Sequence, residues 1–239
     1  MIRIFLNGIL SSSRKREIPF PLFLLLAFCC STAGQSAASD RNQVLEVLEK
    51  MKAHFRMLED YSCEVEQIYF QNGEETQRVY FTYSFRKDQQ IRIDFSYPQS
   101  GMTLIHRKGD PDATILPIRS LPWLKFRFSV HNPLLRTFTG QQIDQTDMGY
   151  FIDFLERSLG ETTQPVFEFR EGKDETAFLI VGRDYLEGKN LEKYRIRLLR
   201  ESWLPLRIER YSLENIPIEK SLLRGCILNA RPGDAFFLL

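Results

Sequence analysis

Two periods of hydrophobic positions divide the chain. Between residues 40 and 58, Val44, Leu48, Met51, Phe55 and Leu58 recur every three or four positions, as one helix face turned towards a core does. Asp40 followed by Gln43 predicts a capped start for this helix. After Tyr61 the period falls to two. Alternating runs at 63–70 and 76–85 flank Gln71-Asn72-Gly73-Glu74, and an Asn-Gly pair between such runs predicts a tight hairpin. Val79, Phe81, Tyr83 and Phe85 alternate with Arg78, Tyr80, Thr82 and Ser84. Ile91, Ile93, Phe95 and Tyr97 stand against Arg92, Asp94 and Ser96, and Leu124, Phe126, Phe128 and Val130 against Lys125, Arg127 and Ser129. Strands apolar on one face and polar on the other predict an antiparallel sheet wetted on one side. Further strands are expected at 102–107, 113–118, 166–170, 176–185, 191–200, 204–211 and 218–228, with a terminal one after Arg231-Pro232-Gly233.

A second helix interrupts this meander. Thr146-Asp147 can cap it, Met148, Phe151, Ile152, Leu155 and Leu159 share one face, Tyr150 and Phe154 widen the stripe, and Gly160 can end it. It follows a long connection at 132–145, a length that compact domains usually reserve for function. About ten or eleven strands with two amphipathic helices predict an α+β, mainly β fold: one large sheet that curls. No repeat or internal boundary divides it.

The N-terminus reads as an address. Arg3, Arg14, Lys15 and Arg16 precede an apolar run from Phe20 to Cys30, and small residues follow from Ser31 to Ala38. Basic, apolar, small is the order of a secretory signal peptide, and the run is shorter than the ~20 residues a membrane-spanning helix needs. The expectation is a cleaved segment 1–38 and a single domain 39–239. Leu26-Ala27-Phe28-Cys29 also resembles a lipidation box, though Phe28 is larger than such boxes prefer.

Composition narrows the chemistry. Nineteen Phe and nine Tyr suit strands and broad apolar surfaces. Lys+Arg 32 against Asp+Glu 31 gives a formal net charge of +1, which argues against nucleic acid as a partner. His54, His106 and His131 show no ligand spacing, so no metal site is expected. There is no nucleophile elbow, phosphate loop or dinucleotide fingerprint, which points away from an enzyme and from a cofactor. Beyond residue 38 two cysteines remain, Cys63 and Cys226. An oxidising compartment would let them pair; otherwise they are two small buried apolar residues.

Towards the C-terminus, Ser202-Trp203-Leu204-Pro205-Leu206-Arg207-Ile208-Glu209 and then Leu228-Asn229-Ala230-Arg231-Pro232-Gly233-Asp234-Ala235-Phe236-Phe237-Leu238 resemble the ending of the LolA-like family of periplasmic lipoprotein carriers. Phe85-Arg86-Lys87-Asp88-Gln89-Gln90-Ile91-Arg92 is similar to the family's basic strand entry, with Asp88 where the family often has proline. The stretch 121–160, with one uninterrupted helix, departs from the broken lid of the best-known carriers and suggests a divergent branch. The resemblance implies an unclosed β-barrel around a concave apolar face, with helices as plug and lid. It implies an exported, periplasmic, monomeric carrier that shelters acyl chains of lipoproteins or other lipids between an inner-membrane donor and an outer-membrane acceptor. The alternative is a lipid-sensing or protein-interaction module of the same fold.

On this reading Val79, Phe81, Tyr83, Phe85, Ile91, Ile93, Phe95, Leu124, Phe126 and Phe128 line the hollow. Met148, Phe151, Ile152, Leu155 and Leu159 form the plug, which fills the hollow when it is empty, and Lys87 is the candidate latch.

Overall fold

The computed structural model describes residues 33–87, 90–137, 140–161, 168–184, 188 and 190–238. Residues 1–32 of the expected leader 1–38, Cys29 among them, lie outside these residues. Helix α1 spans Ala33–Met57. It therefore begins upstream of Asp40, which lies within it and is not its cap; residues 33–39 include three alanines, the best helix formers. The hairpin follows, with β1 at Asp60–Gln71 and β2 at Glu74–Arg86. Asn72 and Gly73 both have positive φ, 55° and 85°, the two-residue turn whose twist suits paired strands.

The meander continues through β3 (Gln90–Tyr97), β4 (Thr103–Arg107), β5 (Asp112–Leu116) and β6 (Phe126–Ser129). The predicted strand at 124–130 is thus shorter: Leu124 N–H bonds Leu121 O in a turn ahead of β6. After the long connection comes helix α2, Met148–Glu161. It passes through Gly160, so that glycine does not end it. Strands β7 (Glu168–Glu171), β8 (Glu175–Arg183), β9 (Leu191–Leu199), β10 (Pro205–Tyr211) and β11 (Pro217–Leu228) complete the sheet. The expected terminal strand is instead a short 3-10 turn, Asp234–Phe237. Pro232 cannot donate to a ladder, and Asn229 and Arg231 take positive φ.

The eleven strands form one antiparallel sheet in the order β6-β5-β4-β3-β2-β1-β11-β10-β9-β8-β7. It is not closed: β6 and β7 are its edges. Two meanders therefore meet at its centre, where the first strand pairs with the last. That seam slips register between Ser62 and Glu64. Beside the slip, Cys63 and Cys226 are joined by a disulfide.

Both helices lie against one face of the sheet, and the main buried cluster sits between them and that face. The other face carries ion pairs and the C-terminal segment. Asp60 is buried, and its carboxylate accepts the N–H groups of Ala230 and Arg231. Arg86 pairs with Asp234 and stacks over Phe237, while Arg92 donates to Phe236 O and stacks over Phe236. The closing motif thus acts as a clasp across the backs of β1–β3. The Trp203-Leu204-Pro205 motif forms the β9–β10 turn, with Lys50 of α1 over the Trp203 ring. No helix among the described residues is long and apolar enough to cross a membrane.

Candidate functional site

The concave face is assembled by register. Phe81, Tyr83 and Phe85 of β2 pair with Phe95, Ile93 and Ile91 of β3. Ile91 and Ile93 in turn pair with His106 and Leu104 of β4, and Ala113 and Ile115 of β5 pair with Phe128 and Phe126 of β6. Because side chains alternate along a strand, each row stays on one face. Tyr83, Phe85, Ile91 and Ile93 are buried, while Phe81, Phe95 and Phe128 are partly buried against them. Val79 is buried on the same row beyond the main cluster. Leu124 is half-buried outside the strands, and Phe126 at the open edge is 46% exposed.

The opposite wall comes from the second meander. Phe178 and Ile180 of β8 and Tyr194, Ile196 and Leu198 of β9 are almost fully buried. Sequence reading did not single them out. The run Phe178-Leu179-Ile180-Val181 is continuous and hides its face, but Tyr194, Ile196 and Leu198 against Lys193, Arg195 and Arg197 carry the alternation that could have found them.

Helix α2 occupies the space between the walls. Met148, Phe151, Ile152, Leu155 and Leu159 are each at most 7% exposed, and Phe154 meets the Tyr194 ring edge-on at 5.0 Å. The helix sits close: a Cβ on Gly182 of β8 would come within 2.5 Å of Ser158 Oγ, and one on Gly149 within 2.7 Å of the Phe55 ring of α1. Polar tethers fix its ends. Tyr61 OH accepts the Met148 N–H at 3.3 Å, Tyr83 OH lies 3.4 Å from Thr146 Oγ1, and Asp147 caps the start by accepting the Tyr150 N–H. From α1, Arg41 donates to Leu159 O and Lys52 pairs with Glu156 at 2.8 Å. Lys87 bonds Arg56 O and Glu59 at the C-terminal end of α1, where a cation suits the exposed carbonyls.

Electrostatics concentrate at the start of α2. Loss of hydration raises the Asp147 carboxyl above its ordinary value, against the lowering effect of the Tyr150 and Gly149 N–H groups and of Lys108. Burial likewise pushes the Tyr61 and Tyr83 hydroxyls up. Beside this point a cavity of about 500 Å3 remains open between α1, α2 and the β3–β6 wall. Phe55, Ile91, Val130 and Ile152 give it an apolar floor; Lys52, Arg56, Lys108, Asp144, Asp147 and Asp153 give it a charged rim of both signs. Sequence reading missed this rim because its members come from two helices and two loops with no shared spacing. Among the described residues no three potential metal ligands gather into a site.

The arrangement is an apolar face of the sheet with a helix seated on it and an amphipathic cleft at one end. No family model matches the chain and no curated protein is similar to it. Solved structures match it at low identity and at TM-scores below 0.5. An outer membrane lipoprotein-sorting protein domain from Vibrio parahaemolyticus is 13% identical, with a TM-score of 0.42 over 81% of this chain and 95% of that one. A LolA superfamily protein from Nitrosomonas europaea is 12% identical, with a TM-score of 0.39 over 82% and 97%. Pseudomonas aeruginosa MucB, solved with MucA, is 11% identical with a TM-score of 0.39; the match covers 84% of this chain and 61% of that one.

Proposed function

We propose that the protein is an exported, non-enzymatic carrier that holds acyl chains of lipoproteins or other lipids in the concave face while α2 stands aside, passing them from an inner-membrane donor towards an outer-membrane acceptor. The observation that supports this reading is the seating of α2. It is a single helix without a covalent cross-link to the sheet, its apolar stripe buried at five positions and its ends held by replaceable polar contacts.

Magnitudes make an exchange feasible. Exposing five large apolar side chains costs roughly 8–15 kcal/mol at 1.5–3 kcal/mol each. An acyl chain of about fourteen CH2 groups returns roughly 11 kcal/mol on burial. The two nearly cancel, so a chain can enter and leave without a large net gain in either direction. The mixed charges of the cleft would meet the polar end of such a ligand. Lys87, holding the end of α1, would keep the first helix in place while the second moves.

Native mass spectrometry on protein purified without detergent, followed by lipid extraction, tests the reading. The expected result is a bound acylated species that displaces α2, read as faster hydrogen exchange at residues 148–159. An apo mass that takes up neither acylated peptide nor phospholipid would overturn it in favour of an interaction module, the hollow then being only a core.

A further inference from the structure

The open edge of the sheet, β6 with the segments at its two ends, carries an unusual surface. Residues 113–143 contain no Asp or Glu, although the chain holds 31 acids in 239 residues and a stretch of that length would average about four. The same stretch holds Arg119, Lys125, Arg127 and Arg136. It also holds large apolar side chains that the fold leaves in solvent: Ile118 45% exposed, Trp123 75%, Phe126 46% and Leu134 75%. Ile118 and Trp123 lie in the β5–β6 connection, Phe126 starts β6, and Leu134 follows beyond its far end.

Burial elsewhere makes these exposures informative. The same segment buries Leu116, Val130 and Leu135, so it is folded against the core, and Trp123 and Leu134 are presented outwards from it. Two of these cations pair with acids, Arg119 with Asp94 and Arg127 with Asp110 and Asp112. Asp94 is shared with Arg92 of β3, so cations outnumber acids along the edge.

We infer that this edge is a membrane-docking surface that seats the protein on an anionic phospholipid bilayer. Trp and Phe favour the headgroup level, where an apolar ring and a polar surround are both met. Cations beside them add attraction to an anionic surface, each about fivefold in affinity at ~1 kcal/mol. Exposed aromatic side chains with interleaved cations and no carboxylates of their own match a bilayer better than a protein partner, whose interface would supply acids at fixed positions. The inference stands whether or not the hollow carries lipid.

The chain has two tryptophans, 123 and 203, so Trp203→Phe leaves Trp123 as sole reporter. That protein, purified as exported, is titrated with vesicles of phosphatidylethanolamine and phosphatidylglycerol, and with phosphatidylcholine vesicles as the neutral comparison. Docking predicts a blue-shifted Trp123 emission and co-sedimentation with the anionic vesicles, weakened on raising salt towards ~1 M, where screening is complete within about 3 Å. Trp123→Ala with Phe126→Ala, made in the chain with Trp203 intact and carrying the same N-terminus, should lower co-sedimentation at least tenfold. Lys125→Glu, a change of two charges, should lower it about 25-fold on the anionic vesicles and leave the neutral ones unchanged. Both variants alter exposed positions, and unchanged far-ultraviolet circular dichroism will confirm their folding. No emission shift, or equal binding by the double variant and its parent, overturns the inference. Lipid found in the hollow by native mass spectrometry would not rescue it, because that result bears on the carrier reading alone.

Discussion

At the scale of single residues, Asp147 carries two opposed effects. As a cap it satisfies the Tyr150 N–H, and as a buried carboxylate it loses hydration, which raises its titration point. The sign follows from linkage. Where the folded form holds a proton more tightly than the unfolded chain, stability rises as pH falls through the folded value towards the ordinary carboxylate value. Asn caps helices about as well as Asp and carries no charge to desolvate. Asp147→Asn is therefore expected to be as stable as the parent or more so at pH 7, within about 1 kcal/mol. Its advantage should shrink as pH falls from the raised folded value towards the ordinary carboxylate value, and be gone below it. Thermal melts of both proteins across that range check it, and an Asn variant less stable at neutral pH would contradict it.

At the scale of elements, the meander and the two helices were legible because each carries a clean period. The Asn72-Gly73 hairpin and the alternating rows of β2 and β3 are read directly from spacing. The misreadings share one physical origin: the ends of elements depend on their surroundings in the fold. Asp40 looks like a cap, yet the alanines before it extend the helix. Gly160 looks like a stop, yet α2 continues one residue past it. Arg231-Pro232-Gly233 looks like a strand entry, yet the Asp60 carboxylate and two arginines hold that tail as a clasp. The hollow's first wall was visible; in the second, the continuous run of β8 hides its face while the alternation of β9 was there to be read, and the charged rim, scattered over two helices and two loops, leaves no periodic mark. One close approach tests the seating of α2 on β8. Gly182→Ala places a methyl against Ser158 and Tyr194, and overpacking of this kind costs typically 1–3 kcal/mol. The expected result is a melting temperature lower by several degrees and faster hydrogen exchange in α2 before the sheet opens. Exchange that accelerates uniformly would contradict a local effect.

At the scale of the whole molecule, strands β1–β6 and β7–β11 meet along a single seam, and the disulfide lies on it. Cys63 and Cys226 are 163 positions apart, so the bond closes most of the chain into one loop. In the loop-entropy account a closure of this length stabilises the folded state by about 5 kcal/mol. Replacing both cysteines with serine should lower the unfolding free energy by an amount near this, measured by urea titration, without changing the strand order. A loss below about 1 kcal/mol would mean that the unfolded chain is already restricted at the seam.

The position of that bond also decides how the molecule answers a mechanical load. Its ends leave the sheet side by side, with Tyr61 opposite Leu228 and Ser62 opposite Ile227 just outside the bridge. A pull on the two termini would unzip those pairs and then meet a covalent stop, and the strands inside the loop would bear no tension. In the oxidised state the extension seen in an optical trap therefore ends with the release of the tails. In the reduced state the enclosed residues extend as well, adding about 550 Å of contour at ~3.4 Å per residue.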